Sequence, residues 1–200
     1  DRVASTMKYY DKNATIDWGD LTDVVCGEYE QPTQRPPDFI GIGAQKSATT
    51  WLWTQLKKSP SVSMPPVKEL HYFDLQLPGG QFPPADASLR LSDSSWIGHA
   101  RNTLRYIVDL GDKRLTHQLI HYYFSDWNDA WYRKLFGIAD PGLITGEITP
   151  RYAICDDKAI EHMASVAPEA KLIFCIRNPI DRFWSQCLMK YRFGTLAPGA

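Results

Sequence analysis

Lys46 stands three residues beyond Gly43 in the run Gly41-Ile-Gly-Ala-Gln-Lys-Ser-Ala-Thr-Thr-Trp51. Residue types in this order can bind an anion. A strand that ends in glycine lets the backbone turn sharply, and small residues let amide N–H groups face a ligand. A helix that starts at the same point brings its positive end to the ligand. Lys46 adds a full mobile charge, and Ser47, Thr49 and Thr50 add hydroxyl donors. The plain alternative is an ordinary helix N-terminus with a solvated lysine. A nucleoside-triphosphate loop of the GxxxxGK[ST] type is disfavoured, because no glycine directly precedes Lys46 and no strand-end Asp is evident for Mg²⁺.

Three further segments carry reactive groups. In Arg177-Asn-Pro-Ile-Asp-Arg-Phe-Trp-Ser185, an arginine follows an apolar run and a serine comes eight residues later. A guanidinium offers a planar fork of donors suited to phosphate; alone, it reads equally as a surface ion pair with Asp181. In Lys68-Glu-Leu-His-Tyr-Phe-Asp74, an extended chain points Glu69 and His71 the same way. A carboxylate and an imidazole on one face are proton acceptors, or else Lys68 and Glu69 form a structural ion pair beside a satisfied His71. The fourth segment is Gly146-Glu-Ile-Thr-Pro-Arg-Tyr152.

Together these segments resemble the sulfotransferases that use 3′-phosphoadenosine-5′-phosphosulfate (PAPS), over about residues 38–194. Gln45-Lys-Ser-Ala-Thr-Thr-Trp-Leu52 is similar to the family's 5′-phosphosulfate loop. By that likeness Gln45, Lys46, Ser47, Ala48, Thr49, Thr50 and Trp51 face the donor, with Lys46 on the 5′-phosphate and the oxygen bridging to sulfur. Arg177 and Ser185 match the 3′-phosphate motif. Lys68–Asp74 resembles the KE-x-HFFD stretch of carbohydrate and bacterial members, which implies Glu69 as general base, with His71 as runner-up or helper. Gly146–Tyr152 resembles GE-x-[ST]P-x-Y, which lines the acceptor side. Ile148 stands where glycosaminoglycan-modifying relatives often carry Lys, which argues against a heparan-like acceptor. The resemblance implies sulfuryl transfer from PAPS to a hydroxyl or amine of a carbohydrate or small molecule, leaving the 3′,5′-bisphosphate PAP. The rivals are an ATP-dependent small-molecule kinase and a non-catalytic binding module on the same fold.

The elements that must position these residues alternate between strand and helix. Asp38–Gly43, Gly142–Ile148 and Lys171–Ile176 read as apolar strands. Ala48–Lys58 reads as a helix with Leu52 and Leu56 on one face, and Asp156–Val166 as an amphipathic helix. Asn178 caps a helix with Pro179 at its first position, whose apolar face holds Ile180, Phe183, Trp184, Cys187, Leu188 and Tyr191, and which Gly194 stops. A helix is expected between 101 and 124, and another over 126–136 capped by Ser125. Residues 75–100, rich in Pro, Gly, Ser and Asp, read as a long loop. This pattern predicts an α/β fold in three layers with a central parallel sheet buried on both faces. The resemblance makes it the P-loop NTPase-like sulfotransferase fold. Residues 1–37 read as an arm or linker and 38–200 as the sulfotransferase domain, incomplete at its C-terminus because the family's later basic loop is not reached.

Composition adds limits. With 22 Lys and Arg against 23 Asp and Glu the net charge is −1, which gives no support to a nucleic-acid or membrane-surface partner. Cys26, Cys155, Cys175 and Cys187 form neither a CxxC pair nor a Cys/His cluster, so no metal site and no disulfide scaffold are expected. Cys175 and Cys187 read as buried thiols. No apolar run is long enough to span a bilayer. A cytoplasmic location is expected, or the Golgi lumen if an anchor lies outside this chain. Oligomeric state is not legible.

Overall fold

The computed structural model describes residues 33–75, 83–109 and 113–194. Most of the expected N-terminal arm, Cys26, and residues 76–82 of the expected loop lie outside these. In chain order the elements are β1 (Phe39–Gly43), α1 (Thr49–Lys58), β2 (Val62–Ser63), α2 (Ala87–Leu91), α3 (Ser94–Asp109), α4 (Lys113–Phe124), α5 (Asp129–Gly137), β3 (Ile144–Ile148), a 3₁₀ turn (Pro150–Ile154), α6 (Asp157–Val166), β4 (Lys171–Phe174) and α7 (Pro179–Arg192). They divide between two compact units, one formed by 1–35 with 83–139 and the other by 36–82 with 140–200.

The second unit holds the sheet. Its strand order is β2-β3-β1-β4, and every pairing is parallel. The chain is thus α/β with a central parallel sheet of four strands and helices around it. β2, two residues long, is an addition to the three strands expected: the residues before Pro65 and Pro66 pair with β3 rather than only passing by. β1 lies between β3 and β4, and Ile40 is wholly buried there. Phe39 pairs with Gly146 across the sheet, and a Cβ at Gly146 would come within 2.4 Å of the Phe39 ring. Leu52, Trp53 and Leu56 of α1 pack on Phe39, Met64 and Ile148, so the helical spacing read from sequence does face the core. Lys57 and Lys58 sit in the last turn of α1, where the helix dipole favours cations. The connections leaving β1 and β3 run in opposite directions along the sheet. In open α/β sheets ligands bind beyond the strand ends at such a point.

β4 and α7 depart from expectation in burial. Leu172 and Phe174 on β4 are 60% and 51% exposed, so this strand is not buried on both faces. It is the edge strand and pairs only with β1 among the described residues. The predicted α7 forms with Asn178 accepting from the Ile180 N–H and Pro179 in its first turn, and Gly194 follows its end at φ 67°. Its apolar stripe is nevertheless open, with Phe183 68% exposed, and Cys175 and Cys187 are only half-buried. An amphipathic pattern selects a face, but a second surface is needed to bury it.

The other unit corrects the loop expected over 75–100. Asp86 accepts hydrogen bonds from the N–H groups of Ser88 and Leu89 and starts α2, and Asp93 accepts from Ser95 and Trp96 to start α3. The Ser and Asp residues there are helix caps rather than loop filler. Asn128, not Ser125, caps α5 by accepting from the Trp131 N–H. Ser125 instead sits 3.1 Å from His121 Nδ1. Trp127 stacks on Trp131 at 5.0 Å, and the buried Arg90 guanidinium lies 4.5 Å over Trp127.

Candidate functional site

The loop between β1 and α1 has the properties of an anion cradle. Lys46 and Ala48 both adopt left-handed backbone, at φ 65° and 61°. Ala48 occupies the N-cap of α1 and supplies no side-chain cap, which leaves first-turn N–H groups without a capping side chain. Ser47 is buried, and its hydroxyl has no hydrogen-bond partner among the described residues. A buried hydroxyl left unsatisfied is unfavourable by about 1–3 kcal/mol, so a ligand oxygen at this place would be held strongly. Thr49 is buried as well, while Gln45, Ala48, Thr50 and Trp51 are exposed.

Arg177 reaches this loop from the far end of the sheet's last strand. Its Nη1 donates to the Lys46 carbonyl at 3.0 Å. Beside it, the backbone of Cys175 pairs with Gly43 and Ala44, the Cys175 N–H donating to the Gly43 carbonyl at 2.7 Å and the Ala44 N–H to the Cys175 carbonyl at 3.2 Å. The structure therefore brings the Arg177 side chain to the backbone of Lys46. Ser185 lies farther along α7, half-buried, and no hydrogen bond joins it to either among the described residues.

A second cluster adjoins the first. A Cβ at Gly43 would lie 2.8 Å from Ala153 Cβ, so the anion loop begins against the 3₁₀ turn that carries Arg151 and Tyr152. Arg151 Nε pairs with Asp74 Oδ2 at 3.2 Å, and His71 Nδ1 meets the same oxygen at 2.9 Å. The other ring nitrogen, Nε2, is 3.5 Å from Glu69 Oε2, and Lys68 Nζ contacts Glu69 Oε1. Glu69 and His71 do converge, but not as an extended chain presents them. Both have left-handed backbone, φ 62° and 55°, on either side of the buried Leu70. Such backbone is unfavourable by about 1–3 kcal/mol per residue and persists only where surrounding contacts fix it.

This pairing sets the proton affinities. Burial pushes the Glu69 carboxyl up, but hydrogen bonds from His71 and Lys68 and their charges outweigh it and hold the group at about 2. Burial pulls the His71 imidazole down, but hydrogen bonds to Asp74 and Glu69 and the two carboxylate charges raise it to about 9. At neutral pH the pair is thus carboxylate and imidazolium, with Asp74 fixing the ring through Nδ1.

Behind the cluster lies a buried network. Thr149 Oγ1 donates to Glu147 Oε2 at 2.7 Å, the Tyr152 hydroxyl donates to Glu147 Oε1 at 3.1 Å, and the Tyr72 N–H donates to the Tyr152 oxygen at 3.0 Å. Sequence reasoning assigned no role to Asp74, and placed Glu147 and Tyr152 only in a segment expected to line the acceptor side. The signal was present, since each lies inside a segment singled out for Glu69, His71 or the strand end. Their contacts join segments eighty residues apart and have no trace in local spacing.

Residues 37–198 match the model of a family described as the sulfotransferase family. The chain belongs to that family. Its fold is similar to that of the crystal structure of a sulfotransferase from Alicyclobacillus acidocaldarius, with a TM-score of 0.53 and 22% identity, over 82% of this chain and 53% of that one. This chain thus spans about half the length of that sulfotransferase. No curated protein matches it. Among the described residues no helix is long and apolar enough to cross a membrane, and no group of three or more His, Cys, Asp or Glu is placed to hold a metal ion.

Proposed function

We propose that this sulfotransferase takes its sulfuryl group from PAPS and passes it to a hydroxyl or amine of a carbohydrate or small molecule. The observation that supports the reading is the bond from the Arg177 guanidinium to the Lys46 backbone carbonyl, which joins the loop after β1 to the loop after β4. A donor with phosphates at both the 5′ and the 3′ position needs two such grips. The 5′-phosphosulfate suits the uncapped start of α1, the Ser47 hydroxyl and Lys46. The 3′-phosphate suits the guanidinium of Arg177, with Ser185 as second donor.

In this scheme the acceptor oxygen or nitrogen attacks sulfur in line. The bond between sulfur and the bridging phosphate oxygen breaks, and PAP leaves. Lys46 and the helix N-terminus stabilise the charge that grows on the leaving oxygen. Glu69 takes the acceptor's proton. While Lys68 and His71 both pair with it, Glu69 is a weak base. An acceptor hydroxyl that displaces either partner removes part of that stabilisation and strengthens the base during the step. His71, held by Asp74, stays protonated and positions the Glu69 carboxylate.

Calorimetric titration with PAP and with ATP tests the donor. Binding of PAP with no comparable heat from ATP is the expected result, and equal affinity for both would defeat the reading. Radiolabelled PAPS offered to a panel of sugars, phenols and amines then identifies the acceptor.

A further inference from the structure

We infer that Tyr152 is a positioning residue, whose hydroxyl, anchored on Glu147, pins the Tyr72 amide and so sets the turn that presents Glu69 and His71. This rests on the reading of Glu69 and His71 as the proton-handling pair.

Glu69 and His71 need left-handed backbone to converge, and a turn of that kind relaxes unless its exits are fixed. Three contacts fix it. Leu70 is buried in the middle, Asp74 holds the His71 ring, and the Tyr72 N–H, directly after His71, is held by Tyr152. The third contact is the one that comes from outside the segment along a buried polar chain. Tyr152 and Glu147 are 3% and 2% exposed, so no water competes for either group. Burial first, and then the nearby carboxyls of Glu147 and Asp74, raise the Tyr152 phenol well above its ordinary value, so it remains a donor to Glu147 at any working pH. Glu147 sits on β3, which is paired on both sides, and Thr149 is bound through its N–H to the Gly41 carbonyl at 2.8 Å. The turn is thereby referenced to the rigid sheet that also carries the anion loop.

Tyr152→Phe removes the hydroxyl and keeps the ring that packs on Phe73 at 5.5 Å. The expected result is turnover about tenfold lower with the KM for PAPS changed less than about twofold, since the group acts on the pair and not on the donor loop. The imidazole of His71, followed by NMR, should titrate well below the parent value, because its carboxylate partners are no longer aligned. Glu147→Gln keeps one acceptor oxygen for the Tyr152 hydroxyl but turns an amide donor on Thr149, and should lower turnover less than Tyr152→Phe does. Unchanged turnover and an unchanged His71 titration in Tyr152→Phe would overturn the inference. So would a variant that melts far below the parent or loses PAP binding, since either makes the hydroxyl a support of the whole unit. If the parent itself fails to bind PAP, the donor reading falls, while the His71 titration still decides this one.

Discussion

Arg177 and Lys46 are 131 residues apart in sequence, and the guanidinium of one donates to the backbone carbonyl of the other at 3.0 Å. This bond spends one donor of the five on the guanidinium and leaves the fork free to meet a ligand. It also ties the loop after β1 to the loop after β4.

Lys46→Ala should lower turnover by about 10²–10³, as loss of a group that stabilises transition-state charge does. Arg177→Ala should mainly raise the KM for PAPS. Arg177→Lys should recover little, because an ammonium cannot act as a fork and cannot both hold the Lys46 carbonyl and bind a phosphate bidentately. Steady-state kinetics with PAPS varied at saturating acceptor separate the two effects. Near-parental values for both alanine variants would remove the basis of the donor site.

The pH profile distinguishes the two candidate bases. Glu69 at about 2 is ionised throughout the working range, and His71 at about 9 is protonated below it. If Glu69 is the base and His71 its positioning partner, kcat/KM for the acceptor is flat near neutrality and falls as pH rises through about 9. If His71 is the base, the rate climbs toward about 9 instead. For stability the signs follow from the same shifts. Glu69, lowered from 4.5, contributes fully above that value and loses its contribution as pH falls through about 2. His71, raised from 6.5, contributes fully below that value and loses its contribution as pH rises through about 9. Chemical denaturation across pH should therefore show the largest contribution of this pair between 4.5 and 6.5.

Gly146→Ala tests the close packing of the sheet behind the site. The added methyl would sit 2.4 Å from the Phe39 ring, whose place is fixed by Met64 and Ile148. Overpacking of this kind destabilises by about 1–3 kcal/mol. A denaturation midpoint equal to the parent's would mean that Phe39 can swing aside.

Strand ends and helix starts near the site were legible because their signals are local. Gly43 closes an apolar run, Leu52 and Leu56 recur at helical spacing, and Asn178 with Pro179 opens α7. The loop between β1 and α1 and the place of Arg177 after β4 could be read from local residue types. What could not be read was long-range. Asp86 and Asp93 looked like loop residues because a capping aspartate and a loop aspartate have the same local composition. Glu69 and His71 were expected to converge through strand alternation, whereas they meet through two left-handed residues fixed by Asp74 within the segment and by Tyr152 from outside it. Apolar content made β4 read as a strand buried on both faces, and only the strand order puts it at the edge.

Asp74→Asn probes the orientation of His71 most directly. Asp74 is wholly buried, and its Oδ2 serves both the His71 ring and the Arg151 guanidinium. An asparagine keeps the size and one acceptor oxygen but removes the charge on which both partners rely. The His71 imidazole, raised chiefly by this carboxylate once burial is overcome, should then titrate below about 9, and the descending limb of the rate profile should move to lower pH with it. Turnover at neutral pH should fall by about tenfold, since general acid–base positioning contributes roughly 10²–10⁴ and the amide retains part of it. Affinity for PAP should not change, because the Lys46 loop does not use Asp74. A rate profile with an unshifted limb would show that Asp74 serves Arg151 alone, and that His71 draws its proton affinity from Glu69.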